Sequence, residues 1–311
     1  MLITVTLNPA MDRTLLVNSF SVNSVSRGVL LTNAPGGKGI NVSRAALELG
    51  GKTLALCIAG GETGRLFTEK LGSEGIDFQV MNVKGETRTC YGIIDKELAT
   101  ETVTNELGPS LEKNDVEKFK SLFSETVKNG DIVALSGSFP IGMPDTIYAE
   151  LIEIAQANNA RVILDSSGVG LGKGLEAGPF IVKVNRLEIA QIDGSREPLE
   201  DNKLIDIAKS LISRWGISNI IVTQGNGPVF IISASDVFVV VPPDVSAVNT
   251  WGSGDCVVAG LLVYLDMGHS FEDAVRLGVA AGTANTLSYG AGFIKIEDVM
   301  ALYKKTTVTH F

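Results

Sequence analysis

Asn249-Thr250-Trp251-Gly252-Ser253-Gly254-Asp255-Cys256 stands directly before the apolar run Val257–Leu265, and the junction reads as a loop opening a buried helix. Gly252 and Gly254 let the backbone approach a ligand, and N–H groups at a helix start point outward with the positive end of the helix dipole. Such a place suits a phosphate, and also the charge that develops on a phosphoryl group in transit. Asp255, at the same helix start, is placed to accept a proton from an attacking hydroxyl. An ordinary glycine turn followed by an early helical Asp carries the same letters, so the surroundings decide.

Working outward, short apolar runs alternate with helical patterns over most of the 311 residues, the signature of a parallel sheet flanked by helices. Core strands are expected at Leu2–Leu7, Thr53–Ile58, Asp131–Leu135, Arg161–Leu164, Phe180–Val184 and Asn219–Val222. Helices are expected to begin near Gly39, Thr63, Glu112, Pro144 and Asp201, with two more at Gly254–Leu265 and Phe271–Leu287. Between Asn226 and Val241 two strands lie side by side. Two segments, Asp12–Asn33 and Arg88–Thr104, hold strand-like runs with no helix between them. They read as a small sheet inserted twice, a lid over the carboxyl ends of the parallel strands, where open α/β sheets bind ligands.

Composition removes several classes of function. A formal net charge of -9 excludes a broad basic face for nucleic acid. Two histidines and three cysteines, with no CxxC, leave no zinc site and no serine–histidine triad. Sparse cysteines fit a reducing cytoplasm. Met1–Leu7 lacks the basic start of a signal peptide, and Val257–Leu265 is too short to span a membrane.

Further motifs gather around the same chemistry. Pro35-Gly36-Gly37-Lys38-Gly39-Ile40-Asn41 places three glycines around a lysine at a helix start, a cradle for an anion or polyol, without Walker A spacing. Asp12 follows the first strand and is expected at its carboxyl end, where it could take sugar hydroxyls or simply form a turn. Asn185 and Glu188 share one helical face and are hard oxygen ligands suited to Mg²⁺ through water, although the pair also has the form of a helix cap. Thr223-Gln224-Gly225-Asn226-Gly227 suits backbone contact with a nucleotide.

In this order the motifs resemble the ribokinase-like (PfkB) carbohydrate kinases nearly from end to end. Gly36–Asn41 resembles the family's N-terminal signature and Val248–Asp255 its C-terminal D-T-x-G-A-G-D. The resemblance implies an α/β, ribokinase-like three-layer sandwich with a mostly parallel central sheet and a small inserted β lid. Residues 1–311 would form a single kinase domain, with lid segments at about 12–33 and 88–104. It also implies a cytoplasmic ATP-dependent kinase with ATP and Mg²⁺ as cofactors, room for a monovalent cation, and a homodimer with neither nucleic-acid nor membrane partners.

Within the family, Thr6–Asp12, Ser136-Gly137-Ser138-Phe139-Pro140 and Thr87-Arg88-Thr89 resemble the branch acting on phosphorylated ketohexoses: 1-phosphofructokinases, tagatose-6-phosphate kinases and minor 6-phosphofructokinases. The product would be a ketohexose 1,6-bisphosphate. The catalytic group implied is Asp255 with Gly252 and Gly254. The substrate group is Asp12, Gly36, Gly37, Lys38, Asn41, Arg88 and Ser138. The nucleotide group is Asn185, Thr223, Gly225, Gly227, Gly252, Ser253, Gly254 and Asn285, with Glu188 toward the metal. Asn249 and Ser253 depart from the usual Asp and Ala and lean toward tagatose 6-phosphate; Trp251 is bulky for its place. A kinase for an unphosphorylated sugar or nucleoside, and a silent sugar or nucleotide sensor, remain the competing readings.

Overall fold

The computed structural model describes residues 1–310. The chain opens with β1 (Leu2–Thr6), then runs β2 (Ala10–Val17) and β3 (Gly28–Gly36) without a helix between them. There follow α1 (Lys38–Glu48), β4 (Thr53–Ala59), α2 (Gly61–Ser73) and β5 (Asp77–Asn82), then the adjacent strands β6 (Arg88–Asp95) and β7 (Thr100–Asn105). Alternation resumes through α3 (Lys113–Thr126), β8 (Ile132–Ser136), α4 (Ile147–Ala157), β9 (Arg161–Asp165), α5 (Gly168–Glu176), β10 (Ile181–Asn185), α6 (Arg186–Ile192), α7 (Asp201–Trp215) and β11 (Asn219–Thr223). The final third holds β12 (Val229–Ile232), β13 (Val237–Val241), α8 (Ser253–Asp266), α9 (Phe271–Asn285), α10 (Ile296–Tyr303) and β14 (Thr307–His310).

The main sheet has ten strands in the order β14-β13-β12-β11-β10-β9-β8-β1-β4-β5. It is parallel from β11 through β5 and antiparallel beyond β11. Strand periodicity sorts its side chains into two layers. Ile3, Val5, Val133, Leu135, Leu164 and Val182 face Phe119, Phe123, Tyr148 and Leu151 of α3 and α4. Leu2, Ile132, Ala134, Ile163, Ile181 and Ile221 face Val42, Ala46, Cys256, Leu261 and Leu262 of α1 and α8. Both faces being covered explains why these strands read as unbroken apolar runs.

A second sheet of four strands, β3-β2-β6-β7, forms the lid. Its pairs are antiparallel except β2 with β6. Asp12 is corrected here: it lies inside β2, a lid strand, because the chain turns at Asn8-Pro9 immediately after β1. Expected helix starts fall within three residues of those found, while α5, α10, β5 and β14 had no counterpart in the sequence reading. Among the described residues no helix is long and apolar enough to cross a membrane.

Candidate active site

The carboxyl ends of β1, β8, β9 and β10 meet the amino ends of α1 and α8 beneath the lid. They enclose a cleft of about 350 Å³ lined by Lys38, Arg88, Lys183, Asp12 and Asp255, among others. Gly37, Asn41, Ser138, Gly252 and Gly254 line it too, so the two glycine motifs, 214 residues apart between Asn41 and Asp255, face one space.

Gly252 has φ 85 and takes the N-cap position of α8, a left-handed conformation that favours glycine. Asp255 sits in the first turn and is 4% exposed. Its Oδ2 accepts a hydrogen bond from Asn41 Nδ2 at 2.8 Å. Burial pushes the Asp255 carboxyl up to about 6; the Lys38 ammonium pulls against that rise and the Asp165 charge adds to it. A carboxylate poised near neutrality is suited to take a proton from a hydroxyl.

Beside it lies a group that the sequence reading did not find. Asp165, at the end of β9, is fully buried and accepts from Lys38 Nζ at 3.0 Å and from Lys183 Nζ at 3.2 Å on the same oxygen, Oδ1. Burial works to raise its carboxyl, but the Lys183 and Lys38 ammonium groups hold it below the usual range. Lys38 is held charged in turn: burial works to lower it, and Asp165, Asp255 and Glu188 raise it. Lys183 also lies against the start of α8, where a Cβ on Gly254 would stand 2.5 Å from Nζ. The signal was present as a lysine inside the apolar strand Ile181-Val182-Lys183-Val184, since a buried charge there requires a partner.

From the lid, Asp12 is 8% exposed, and burial pushes its carboxyl up to about 7 against the nearby charges of Arg44 and Arg88. A Cβ on Gly36 would collide with that carboxyl group. Arg88 donates to Asn8 O at 2.9 Å and to Glu106 O at 3.4 Å. Trp251 reaches the lid, its ring edge lying 3.2 Å from the place a Cβ would take on Gly92 of β6. Thr6 Oγ1, Asn8 Oδ1 and Ser136 Oγ are buried, line the same cleft and have no protein partner.

Of the remaining motif residues, Asn185 and Thr223 end neighbouring strands and Asn285 ends α9 beside the start of α8, and none of the three lines the cleft. Asn185 caps α6, its Oδ1 accepting from Leu187 N and Glu188 N, while Glu188 Oε2 accepts from Asn185 N at 2.7 Å. Thr223 ends β11 and donates to Val184 O at 3.3 Å; Gly225 and Gly227 form the turn after it. Asn285 is fully buried, donating to Trp251 O at 2.9 Å and Ser253 Oγ at 3.2 Å and accepting from Gly292 N at 2.9 Å. Among the described residues no three His, Cys, Asp or Glu side chains converge on a metal position.

A model of the pfkB family carbohydrate kinases matches residues 5–298. The chain is 35% identical to a 1-phosphofructokinase of Bacillus subtilis (strain 168), over 94% of each. It is 34% identical to a 1-phosphofructokinase of Borreliella burgdorferi, over 92% of each. The structure of phosphofructokinase-2 from Escherichia coli in complex with potassium superimposes with a TM-score of 0.91 at 28% identity, covering 98% of both chains. A shared fold, two glycine-rich helix starts and a buried carboxylate thus meet in one place, and the chain belongs to the pfkB family of carbohydrate kinases, as an ATP-dependent sugar kinase.

Proposed function

We propose that this kinase transfers the γ-phosphoryl group of ATP to a hydroxyl of a phosphorylated ketohexose, giving a ketohexose 1,6-bisphosphate. One observation carries the reading: three cations, Lys38, Arg88 and Lys183, line the same cleft as three buried polar atoms that have no protein partner. Unpaired buried polar groups each cost about 1–3 kcal/mol, so a polyol fits that wall. Asp12 has its carboxyl raised to about 7 by burial, and this lessens the negative charge set against a phosphate dianion.

Asp255 takes the proton of the acceptor hydroxyl as its oxygen attacks phosphorus, and ADP leaves. Lys183 and the start of α8, with Gly252, Ser253 and Gly254, stabilise the charge on the transferring group. Asn185, Thr223, Gly225, Gly227 and Asn285 serve the nucleotide, Asn285 through the loop it braces. Gly36, Gly37, Lys38, Asn41, Arg88 and Ser138 hold the sugar phosphate, and Asp12 its hydroxyls. Glu188 keeps one carboxylate oxygen outside the α6 cap, and this hard donor fits Mg²⁺ through water; Mg²⁺ there would neutralise phosphate charge. The lid sheet, apolar on both faces in its outer half, pairs with that of a second copy to make a homodimer.

The names of the Bacillus and Borreliella relatives put fructose 1-phosphate first, while Asn249 and Ser253 favour tagatose 6-phosphate. Turnover on fructose 1-phosphate, fructose 6-phosphate, tagatose 6-phosphate, fructose and ribose separates them. The same panel on Lys38→Met, Arg88→Met and the double variant tests the phosphate site. Each single change should raise KM for the phosphorylated sugar about tenfold to a hundredfold, the loss of one charge-assisted contact, with KM for ATP little changed. A double variant with its preference for phosphorylated over free ketohexose intact would place the phosphate elsewhere.

A further inference from the structure

One turn along α1 from Asn41 lies a buried guanidinium that the reading above leaves without a role. Arg44 is 8% exposed and all of its donors meet fixed acceptors. Nη1 donates to Asn41 Oδ1 at 3.1 Å and Ala291 O at 2.9 Å. Nη2 donates to Pro35 O and to Glu74 Oε1, the latter at 3.1 Å, and Nε to Glu74 Oε2 at 2.8 Å. The ring of Phe293 covers the group, 4.6 Å from its centroid.

These contacts fix an orientation. The Asn41 amide has one accepting and one donating end, and a guanidinium can only donate. Arg44 therefore takes Oδ1, and Nδ2 is left to face Asp255 Oδ2 at 2.8 Å. Were the amide reversed, two acceptors would face each other at Asp255 and two donors at Arg44. We propose that Arg44 is a positioning residue for phosphoryl transfer: through the Asn41 amide it selects which oxygen of Asp255 accepts the hydroxyl proton and holds that carboxylate ionised.

The inference rests on Asp255 acting as the base. With Oδ2 occupied by Asn41, Oδ1 is the oxygen that receives the proton as the acceptor oxygen bonds to the γ-phosphorus and the bond to ADP breaks. That proton then passes to solvent when products leave. The charged and titratable groups facing Asp255 are Lys38 on α1, Asp165 on β9, Lys183 on β10 and Asp12 on β2, with Cys256 beside it on α8. Among these surroundings, the Asn41 hydrogen bond lowers the base against the rise caused by burial.

Arg44→Lys keeps the charge and removes the fork, so it isolates orientation from electrostatics. The readout is kcat against pH, with thermal melting to establish folding. Arg44→Lys should lower kcat about tenfold to a hundredfold and move its acid limb upward by roughly one pH unit, with KM for ATP within twofold of the parent. On an Asn41→Ala background, which itself shows the shifted limb, Arg44→Lys should cost less than about twofold more. Multiplying losses, or a melting point that falls while the limb stays in place, would leave Arg44 as a structural tie only.

If Arg44→Lys does not fold, Asn41→Ala and Glu74→Gln carry the test. Glu74→Gln weakens one side of the clamp, and should move the limb the same way by less; no movement in either variant overturns the proposal. Asp255→Asn separates the two layers. Near-parent turnover in that variant defeats the base itself, whereas an inactive Asp255→Asn with an unmoved limb in Arg44→Lys defeats the relay alone.

Discussion

Asp12 shows how much the site costs the fold. Burial raises its carboxyl from 3.8 to about 7. A carboxyl group raised in this way stabilises the fold fully below its unfolded value, near pH 4, and that contribution is lost as pH rises through about 7. Above that point an ionised carboxylate sits in the cleft, and the gap corresponds to roughly 4 kcal/mol at most. Asp12→Asn should therefore melt higher than the parent at pH 8 in the absence of ligands. That advantage should shrink steadily as the pH is brought down to 5. An advantage of equal size at both pH values would show that burial does not raise Asp12. The same residue marks where reading the letters fell short: an Asp after a strand could take sugar hydroxyls or form a turn, and only the pairing of β2 with β3 and β6 puts it in the lid sheet itself.

At the scale of elements, the amino end of α8 is where two glycines do different work. A Cβ on Gly252, already at φ 85, would meet the Ala291 backbone at 2.6 Å, so substitution there disrupts the loop itself. A Cβ on Gly254 meets only the end of the Lys183 side chain, which can swing away. Gly254→Val should consequently keep the loop and fold, melting lower than the parent as the buried Lys183–Asp165 contact loosens, and lose at least about tenfold in ATP affinity as the Lys183 ammonium is displaced. Isothermal titration with a non-hydrolysable ATP analogue checks this, and unchanged affinity would remove Lys183 from the nucleotide site. This helix start was legible because glycines, dipole and Asp occur together in eight residues. Asp165 was not, and Lys183 showed only as a buried charge in need of a partner, because their pairing comes from two strands becoming neighbours in the sheet. The helix α5, Gly168–Glu176, was hidden for another reason. Four glycines in nine residues argue against a helix, and packing of Leu171 and Leu175 against the sheet overrides that propensity.

The parallel order of the main sheet followed from alternation alone, since runs buried on both faces need helices between them. How the lid is completed is a property of the whole molecule. Its inner face toward the cleft carries Asp12, Thr14 and Gly92, but farther out the same face continues as Leu16, Val29 and Ile94. Leu15, Leu30 and Ile93 occupy the opposite face there, and the loop between β2 and β3 exposes Val22 at 86% and Val25 at 84%. A four-stranded sheet with aliphatic side chains on both faces, Val29 66% and Leu30 51% exposed, is an unusual surface for a monomer. On the dimer proposed above, a second copy of the lid, presenting the same aliphatic side chains, would cover it without requiring any charge complement. Val29 is 66% exposed in the single chain, so Val29→Glu loses little within it. Sedimentation should therefore show the parent as a dimer and Val29→Glu shifted toward monomer. The parent's melting point should rise with protein concentration and the variant's should not. A parent that sediments as a monomer at micromolar concentration would sink the pairing, and the lid would then close over the cleft without a second copy.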